Sequence, residues 1–255
     1  MNDLPARTGW EWLKQGTGLF RKQPAALTTL LFANILFSIG LSAVPVLGSV
    51  LAVVLIPSFS MAFMQACLMI ENGDRVTPAV LLTGFRPPAL AALCKLGLVY
   101  LGVSLLMMVI MRLAVPPEVV AQMMPQPDAK APPQVAPSHL FALFGVFTLD
   151  VAVLVTLCFA APLTYWKHMG PGKATFYSFF AVVRTVRPFL VLLAAWFGIF
   201  VGVCMIAAMV FGDAALGRVV LMWLIFLFVL LLQCAMYAGY RTIFGKPADE
   251  APQPA

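Results

Sequence analysis

The chain has 255 residues, of which 62% are hydrophobic and 10% are charged, and its net charge is +6. Soluble domains carry about 25% charged residues, so this chain has too few polar side chains to cover a globular surface. The composition excludes an ordinary soluble domain and predicts that much of the surface faces lipid. The positive charges lie in short stretches between apolar runs, which is typical of membrane topology signals and not of a nucleic-acid-binding surface.

Six apolar stretches are predicted to be transmembrane helices. The first apolar run covers residues 25–70, and as one helix it would be about 69 Å long, about twice the thickness of a bilayer core. We therefore expect a break at Pro45 and Gly48, since Pro removes a backbone donor and Gly permits a turn. We also expect a kink at Pro57. The predicted spans are 25–44, 47–70, 89–113, 139–165, 189–211 and 218–240.

The distribution of Lys and Arg predicts how these spans are oriented. Twelve of these residues lie on the face that holds the N-terminus, the 71–88 and 166–188 loops and the C-terminal tail, and three lie on the opposite face. Cytoplasmic loops are enriched in Lys and Arg. We therefore expect both termini to be cytoplasmic and the protein to lie in a bacterial inner (cytoplasmic) membrane.

A basic residue and a proline precede three of the spans, at 22–24, 86–88 and 187–188. Before each, a short amphipathic segment predicts a helix on the cytoplasmic leaflet, and in the first segment we place Trp10 and Leu13 on the apolar face. The predicted fold class is an all-α membrane protein, with six transmembrane helices as three hairpins, each preceded by a cytoplasmic interfacial amphipathic helix. The three units indicate an internal repeat. However, any span that begins in the cytoplasm favours a basic flank and a proline, so both interpretations stand.

We expect a single transmembrane domain over residues 1–245, with two segments of a different character. The segment 114–138 contains seven prolines, which predicts an extended or disordered periplasmic loop. The tail 246–255 is rich in Pro and Ala and is predicted to be disordered.

Asp150 and Lys95 form the candidate intramembrane polar site. Asp150 falls near the middle of the fourth span, where an ionised group costs about 2.5–3.5 kcal/mol, so it should face the bundle interior or water, or be protonated. Lys95 lies about 9 Å into the third span, from where its side chain could reach Asp150 or extend back to the interface. Two roles remain open, a structural pair that locks two helices and a proton-linked or substrate-binding site.

Small residues spaced by four predict close helix packing on two spans. They include Ser58 and Ala62 in the second span and Gly198 and Gly202 in the fifth. Contact within the chain is one interpretation, and self-association is the other. The five cysteines lie singly in apolar runs, which is typical of small buried side chains and not of disulfides or metal ligands.

The sequence contains no catalytic or cofactor motif. Residues 170–174 resemble the end of a P-loop, but position 167 is Lys instead of Gly, and Ala174 stands where Ser or Thr is required. Metalloprotease, nucleophile-elbow and paired-carboxylate patterns are absent. We therefore expect no enzymatic activity, no catalytic residue, no bound cofactor and no metal site.

Short motifs near both ends of the chain resemble those of a known family. They are Gly9-Trp10-x-Trp12, Leu19-Phe20 followed by Pro24, Pro57 within the second span, and Tyr240-Arg241-Thr242-Ile243-Phe244-Gly245. In these motifs the chain resembles a family of uncharacterised proteobacterial multi-pass inner-membrane proteins. The resemblance covers most of the chain and implies an inner-membrane location. It implies no substrate, cofactor or catalytic residue.

Two functions fit these observations. The first is a non-enzymatic scaffold or accessory protein that acts through its cytoplasmic surface helices and its helix packing. Its contacts would be the lipid bilayer and either a membrane protein partner or a second copy. The alternative is a transporter or channel for a small molecule or protons that uses Asp150. A water-filled cavity reaching Asp150 would favour transport, whereas a tightly packed bundle around it would favour the scaffold.

Overall fold

The computed structural model of the protein describes residues 4–45, 47–117, 119, 137–212 and 215–247. Over these ranges the regular structure is helical, and no strand is present. The predicted disorder of the proline-rich segment and of the tail falls largely outside the described residues. In chain order, the elements are α1 (Thr8–Lys22), α2 (Pro24–Ser42), α3 (Leu47–Asn72), a 3₁₀ helix (Pro78–Phe85), α4 (Ala89–Ala114), α5 (Pro137–Leu157), α6 (Ala160–Trp166), α7 (Pro171–Arg184), α8 (Val186–Phe211) and α9 (Ala215–Phe244).

Among the described residues, six stretches are long and apolar enough to cross a membrane, namely α2, α3, α4, α5 together with α6, α8 and α9. This confirms the predicted all-α membrane fold. The chain turns between α2 and α3 around Pro45, and α3 runs on through Pro57. At the other end of the chain, α9 continues as one helix to Phe244, beyond the end of the predicted span 218–240.

The fourth span is interrupted before its end. α5 ends at Leu157 and α6 begins at Ala160, with Cys158 and Phe159 between them. Pro162 explains the break. Its ring clashes with the carbonyl group of residue 158, four positions earlier, and it has no N–H group to donate to that carbonyl.

α1 packs across the ends of α8 and α9. Gly9 and Gly16 allow this approach, because an added Cβ would lie 2.0 Å from a backbone oxygen of α8 and 2.5 Å from a backbone nitrogen of α9, respectively. Trp12 lies on the buried face and is fully buried, whereas Trp10 is 42% exposed. The backbone contacts at the two glycines set the rotation of α1 and leave Trp10 on the outer side of the helix. The predicted contact of Trp10 with the apolar part of the membrane stays a prediction.

Short helices also precede α4 and α8. The 3₁₀ helix packs on α3, and α7 packs on α5 and α6. In α7, Ala174 and Ser178 are buried against the bundle, while several apolar side chains on the other side of the helix are exposed. Since α1 contacts the end of α9, the first and last helices meet at one end of the bundle, on the side where α7 also lies.

Candidate functional site

The structure does not bring Lys95 and Asp150 together. Tyr100 of α4 donates a hydrogen bond to the Leu157 carbonyl oxygen of α5 at 2.8 Å, which marks a level where these two spans meet. Lys95 lies five residues from Tyr100 toward the start of α4. Asp150 lies seven residues from Leu157 toward the start of α5, which is the other end of the bundle because successive spans run in opposite directions. A rise of about 1.5 Å per residue puts about 18 Å of bundle height between them.

Both side chains also lie on the outside of the bundle, where they are exposed. Among the described residues, no ion pair joins Lys95 to Asp150. Of the two alternatives for Lys95, the pair with Asp150 is therefore not formed, and Asp150 does not face the bundle interior. Span assignment sets the depth of a residue but not the direction in which its helix face points, so the sequence could not decide between the alternatives. A functional role for either residue by itself stays a prediction.

The two stripes of small residues have different surroundings. Ser58 and Ala62 of α3 are fully buried, and a Cβ added at Gly84 of the 3₁₀ helix would lie 2.8 Å from the Ser58 carbonyl oxygen. By contrast, Cβ atoms added at Gly198 and Gly202 of α8 would meet no described neighbour within 4 Å. The α3 stripe therefore packs within the chain. The α8 stripe faces outward, and its self-association stays a prediction.

A polar cluster lies where α1, α3 and α9 meet, and we call it the clamp (Gln15, Glu71, Tyr237 and Arg241). Tyr237 Oη donates to Glu71 Oε2 at 2.5 Å, and Arg241 Nη1 forms an ion pair with Glu71 Oε1. Arg241 Nη2 donates to Gln15 Oε1 at 2.9 Å. The side chains of Glu71 and Arg241 are 17% and 35% exposed. Because the ion pair is partly shielded from water, we expect it to contribute more than a fully exposed pair would.

Other hydrogen bonds hold the same end of the bundle. Trp12 Nε1 of α1 donates to Thr242 Oγ1 of α9 at 3.1 Å. Gln23, between α1 and α2, donates through Nε2 to the Asp74 carbonyl oxygen at 2.6 Å and accepts the Val76 N–H through Oε1 at 3.0 Å. Long-range polar contacts of this kind connect the first helices to the ends of α3 and α9.

A groove of about 290 Å³ opens beside the clamp, and we call it the clamp groove. It is lined by Gln15, Gly18, Leu19, Lys22, Glu71, Tyr237, Ala238 and Arg241. Its polar lining offers hydrogen-bond donors and positive charge. Its side chains do not include a Ser, Cys or His that could act as a nucleophile or as an imidazole base.

A second polar contact bridges the break between α5 and α6. The fully buried Ser178 of α7 accepts the Phe159 N–H through Oγ at 3.1 Å and donates to the Thr156 carbonyl oxygen at 2.6 Å. The Leu157 carbonyl oxygen accepts the hydrogen bond from Tyr100. Backbone groups that a broken helix leaves free within a membrane must find partners on neighbouring helices. Ser178 and Tyr100 supply partners for three backbone groups at the break, namely the Thr156 and Leu157 carbonyl oxygens and the Phe159 N–H.

Two cysteines that are far apart in the sequence lie in contact. Cys67 Sγ of α3 and Cys234 Sγ of α9 are 3.6 Å apart, and both residues are buried free thiols. The sequence indicated single cysteines, because contacts between helices are not visible in spacing. Within the described ranges, His, Cys, Asp and Glu side chains form no group of three that could hold a metal ion.

From the sequence, Glu71 had no predicted role in a site, and Arg241 counted only as a topology charge and as part of the motif near the end of the chain. A signal was present nevertheless. Glu71 and Arg241 each directly follow the end of a predicted span, and both of these spans end on the same side of the membrane. Opposite charges at such positions can pair if the two helices are neighbours, but the sequence does not show which helices are neighbours.

Comparison with known proteins supports the membrane assignment. The chain is 31% identical over 259 aligned positions, covering 98% of this chain and 96% of the other, to a protein of Burkholderia thailandensis described as a probable inner membrane protein. No family model matches the chain, and no solved structure matches it. The match extends over nearly the full length of both proteins. It therefore agrees with the resemblance that the short terminal motifs indicated.

Proposed function

Since the chain belongs to the same family as the probable inner membrane protein of Burkholderia thailandensis, we propose that it is a non-enzymatic scaffold or accessory protein of the bacterial inner membrane. The surface that contacts its partners is formed by α1, α7 and the last residues of α9, at one end of the bundle. In this arrangement the bundle holds the surface helices in fixed positions, and the surface helices contact lipid and a membrane protein partner.

The exposed aromatic face of α7 is the observation that carries the proposal. Phe176, Tyr177, Phe179 and Phe180 are between 45% and 60% exposed. On the opposite side of the helix, Ser178 bonds the broken fourth span, so α7 is anchored to the bundle. Exposed aromatic side chains on an anchored helix are suited to contact with a protein partner or with the membrane interface.

The placement of the charged residues also supports a scaffold. Glu71 and Arg241 connect helices, whereas Asp150 and Lys95 lie on the outer surface of different parts of the bundle. The transport alternative needs Asp150 to line a water-accessible path, and its outward position gives that mechanism no support.

We propose that both termini are cytoplasmic. The end of the bundle at which α1 meets α9 is the side with twelve of the Lys and Arg residues, and such enrichment favours the cytoplasmic side. Fusion of alkaline phosphatase or green fluorescent protein after Ala255 tests the orientation. The fluorescent fusion should be bright and the phosphatase fusion inactive, and the reverse result would overturn the proposal.

The scaffold proposal is tested by affinity purification in mild detergent after cross-linking of whole cells. We expect a stoichiometric membrane protein partner whose recovery falls when Phe176 and Phe180 of α7 are changed to Ala. Matched alanine substitutions at Phe141 and Phe144, which are exposed on α5, should leave recovery unchanged. Loss of proton-coupled uptake in membrane vesicles on Asp150→Asn, with no partner recovered, would favour the transport alternative instead.

A further inference from the structure

The clamp groove has an excess of positive charge. Lys22 is exposed at the end of α1, and the Arg241 side chain is 35% exposed although it bonds Glu71 and Gln15. Lys22 and Arg241 therefore supply two positive charges to the lining of the groove against the one carboxylate of Glu71. This arrangement suits an anionic ligand.

The groove also lies at the depth of lipid headgroups. Glu71 is one residue from the end of α3, and Arg241 is three residues from the end of α9. Lys22 is the last residue of α1, just before the start of α2. Helices that cross a membrane end near the boundary between the hydrocarbon core and the headgroup region. A ligand in the clamp groove would therefore be at the level of phospholipid phosphates.

A second groove, which is apolar, lies along the same helix toward the membrane interior. It has a volume of about 380 Å³ and lies between α2 and α9, with Thr28, Trp223, Leu227 and Leu230 among its lining residues. Leu230 is seven residues, or about two helical turns, from Tyr237 of the clamp groove. The two grooves therefore lie along the same side of α9, the polar one near the end of the helix and the apolar one deeper in the membrane.

We propose that the two grooves together bind one anionic phospholipid. Its phosphate group accepts hydrogen bonds from Lys22 and Arg241 in the clamp groove, because charge-assisted bonds to phosphate are strong for these side chains. One acyl chain lies in the apolar groove between α2 and α9. A free phosphate ester would share the headgroup chemistry but would have no use for the apolar groove, so the lipid is the ligand that uses both grooves.

The test uses the full-length protein, purified in a neutral detergent and stripped of lipid by washing. Phosphatidylglycerol is the probe, and the thermal unfolding midpoint is recorded as its concentration rises. Two variants target the groove without touching the Glu71–Arg241 ion pair. Lys22→Gln removes one phosphate contact, and Gly18→Leu fills the groove from a position where an added Cβ meets nothing within 4 Å. Lys14→Gln is the matched control, because Lys14 is also exposed on α1 but does not line the groove.

We expect phosphatidylglycerol to raise the unfolding midpoint of the native protein and of Lys14→Gln equally. Lys22→Gln should need about fivefold more lipid for the same rise, as expected for loss of one charge-assisted contact at a partly exposed site. Gly18→Leu should also need more lipid, because its side chain occupies part of the groove. An equal dependence of the unfolding midpoint on phosphatidylglycerol in all four proteins would overturn the proposed binding site. A rise produced by inorganic phosphate as large as that produced by the lipid would overturn the lipid assignment, because it would show that the apolar groove makes no contribution.

Discussion

Ser178→Ala removes the side chain that bonds both sides of the break in the fourth span. In the structure, the Ser178 hydroxyl donates to the Thr156 carbonyl oxygen at 2.6 Å and accepts the Phe159 N–H at 3.1 Å. The alanine leaves both backbone groups without these partners at a fully buried position. An unpaired buried group costs about 1–3 kcal/mol, and hydrogen bonds between transmembrane helices contribute at the lower end of that range. We expect the free energy of unfolding to fall by about 2–3 kcal/mol.

The assay is unfolding of the purified protein in mild detergent by titration with sodium dodecyl sulfate, followed by tryptophan fluorescence. Thr175→Ala is the matched control. Thr175 lies on the same helix and donates only to the Pro171 carbonyl oxygen one turn earlier, at 2.8 Å, so its loss should change the free energy by less than about 0.5 kcal/mol. Equal destabilisation by both substitutions, or none by Ser178→Ala, would refute the argument that Ser178 satisfies the broken helix.

Three further perturbations test other contacts. Gly16→Ala puts a methyl group 2.5 Å from a backbone nitrogen of α9 and should lower the free energy of unfolding by about 1–3 kcal/mol. Gly18→Ala, in open space on the same helix, should raise the free energy of unfolding by up to about 1 kcal/mol. Similar effects of the two substitutions would contradict the packing of α1. Glu71→Gln deprives the clamp arginine of its carboxylate and should cost about 1–3 kcal/mol in the same titration, and an unchanged midpoint would show that the clamp does not stabilise the fold. Oxidation with copper–phenanthroline should form a disulfide between Cys67 and Cys234, whose Sγ atoms are 3.6 Å apart. After denaturation of the oxidised protein, a maleimide should then label three of the five cysteines. Labelling of all five cysteines would argue against contact between α3 and α9.

The membrane fold was predictable because it depends on composition summed over long stretches. A run of about 20 apolar residues must span a bilayer whatever its neighbours are, so the six spans could be identified from local sequence alone. The turn around Pro45 followed from length for the same reason, since one helix over 25–70 would be about twice too long. The break near Phe159 was not predicted, although Pro162, which explains it, is visible in the sequence.

The candidate site was harder to predict, because it depends on which helix faces contact each other. The sequence placed Lys95 and Asp150 in neighbouring spans and allowed a pair, but helix register puts them on opposite sides of the Tyr100 contact. Glu71 and Arg241 were separated by 170 residues. Only the packing of α3 against α9 makes them partners.

The sequence by itself determined that this protein is an all-helical membrane protein, because hydropathy and chain length are properties of each segment taken alone. The tertiary structure alone decided what its polar residues do. It rotated α1 so that Trp12 is buried, and it turned Asp150 outward. It also brought Glu71, Tyr237 and Arg241 together beside a basic groove. The physical reason is that lipid solvates every apolar helix face about equally well, so the close approach of particular backbones and the pairing of a few polar groups select which faces meet.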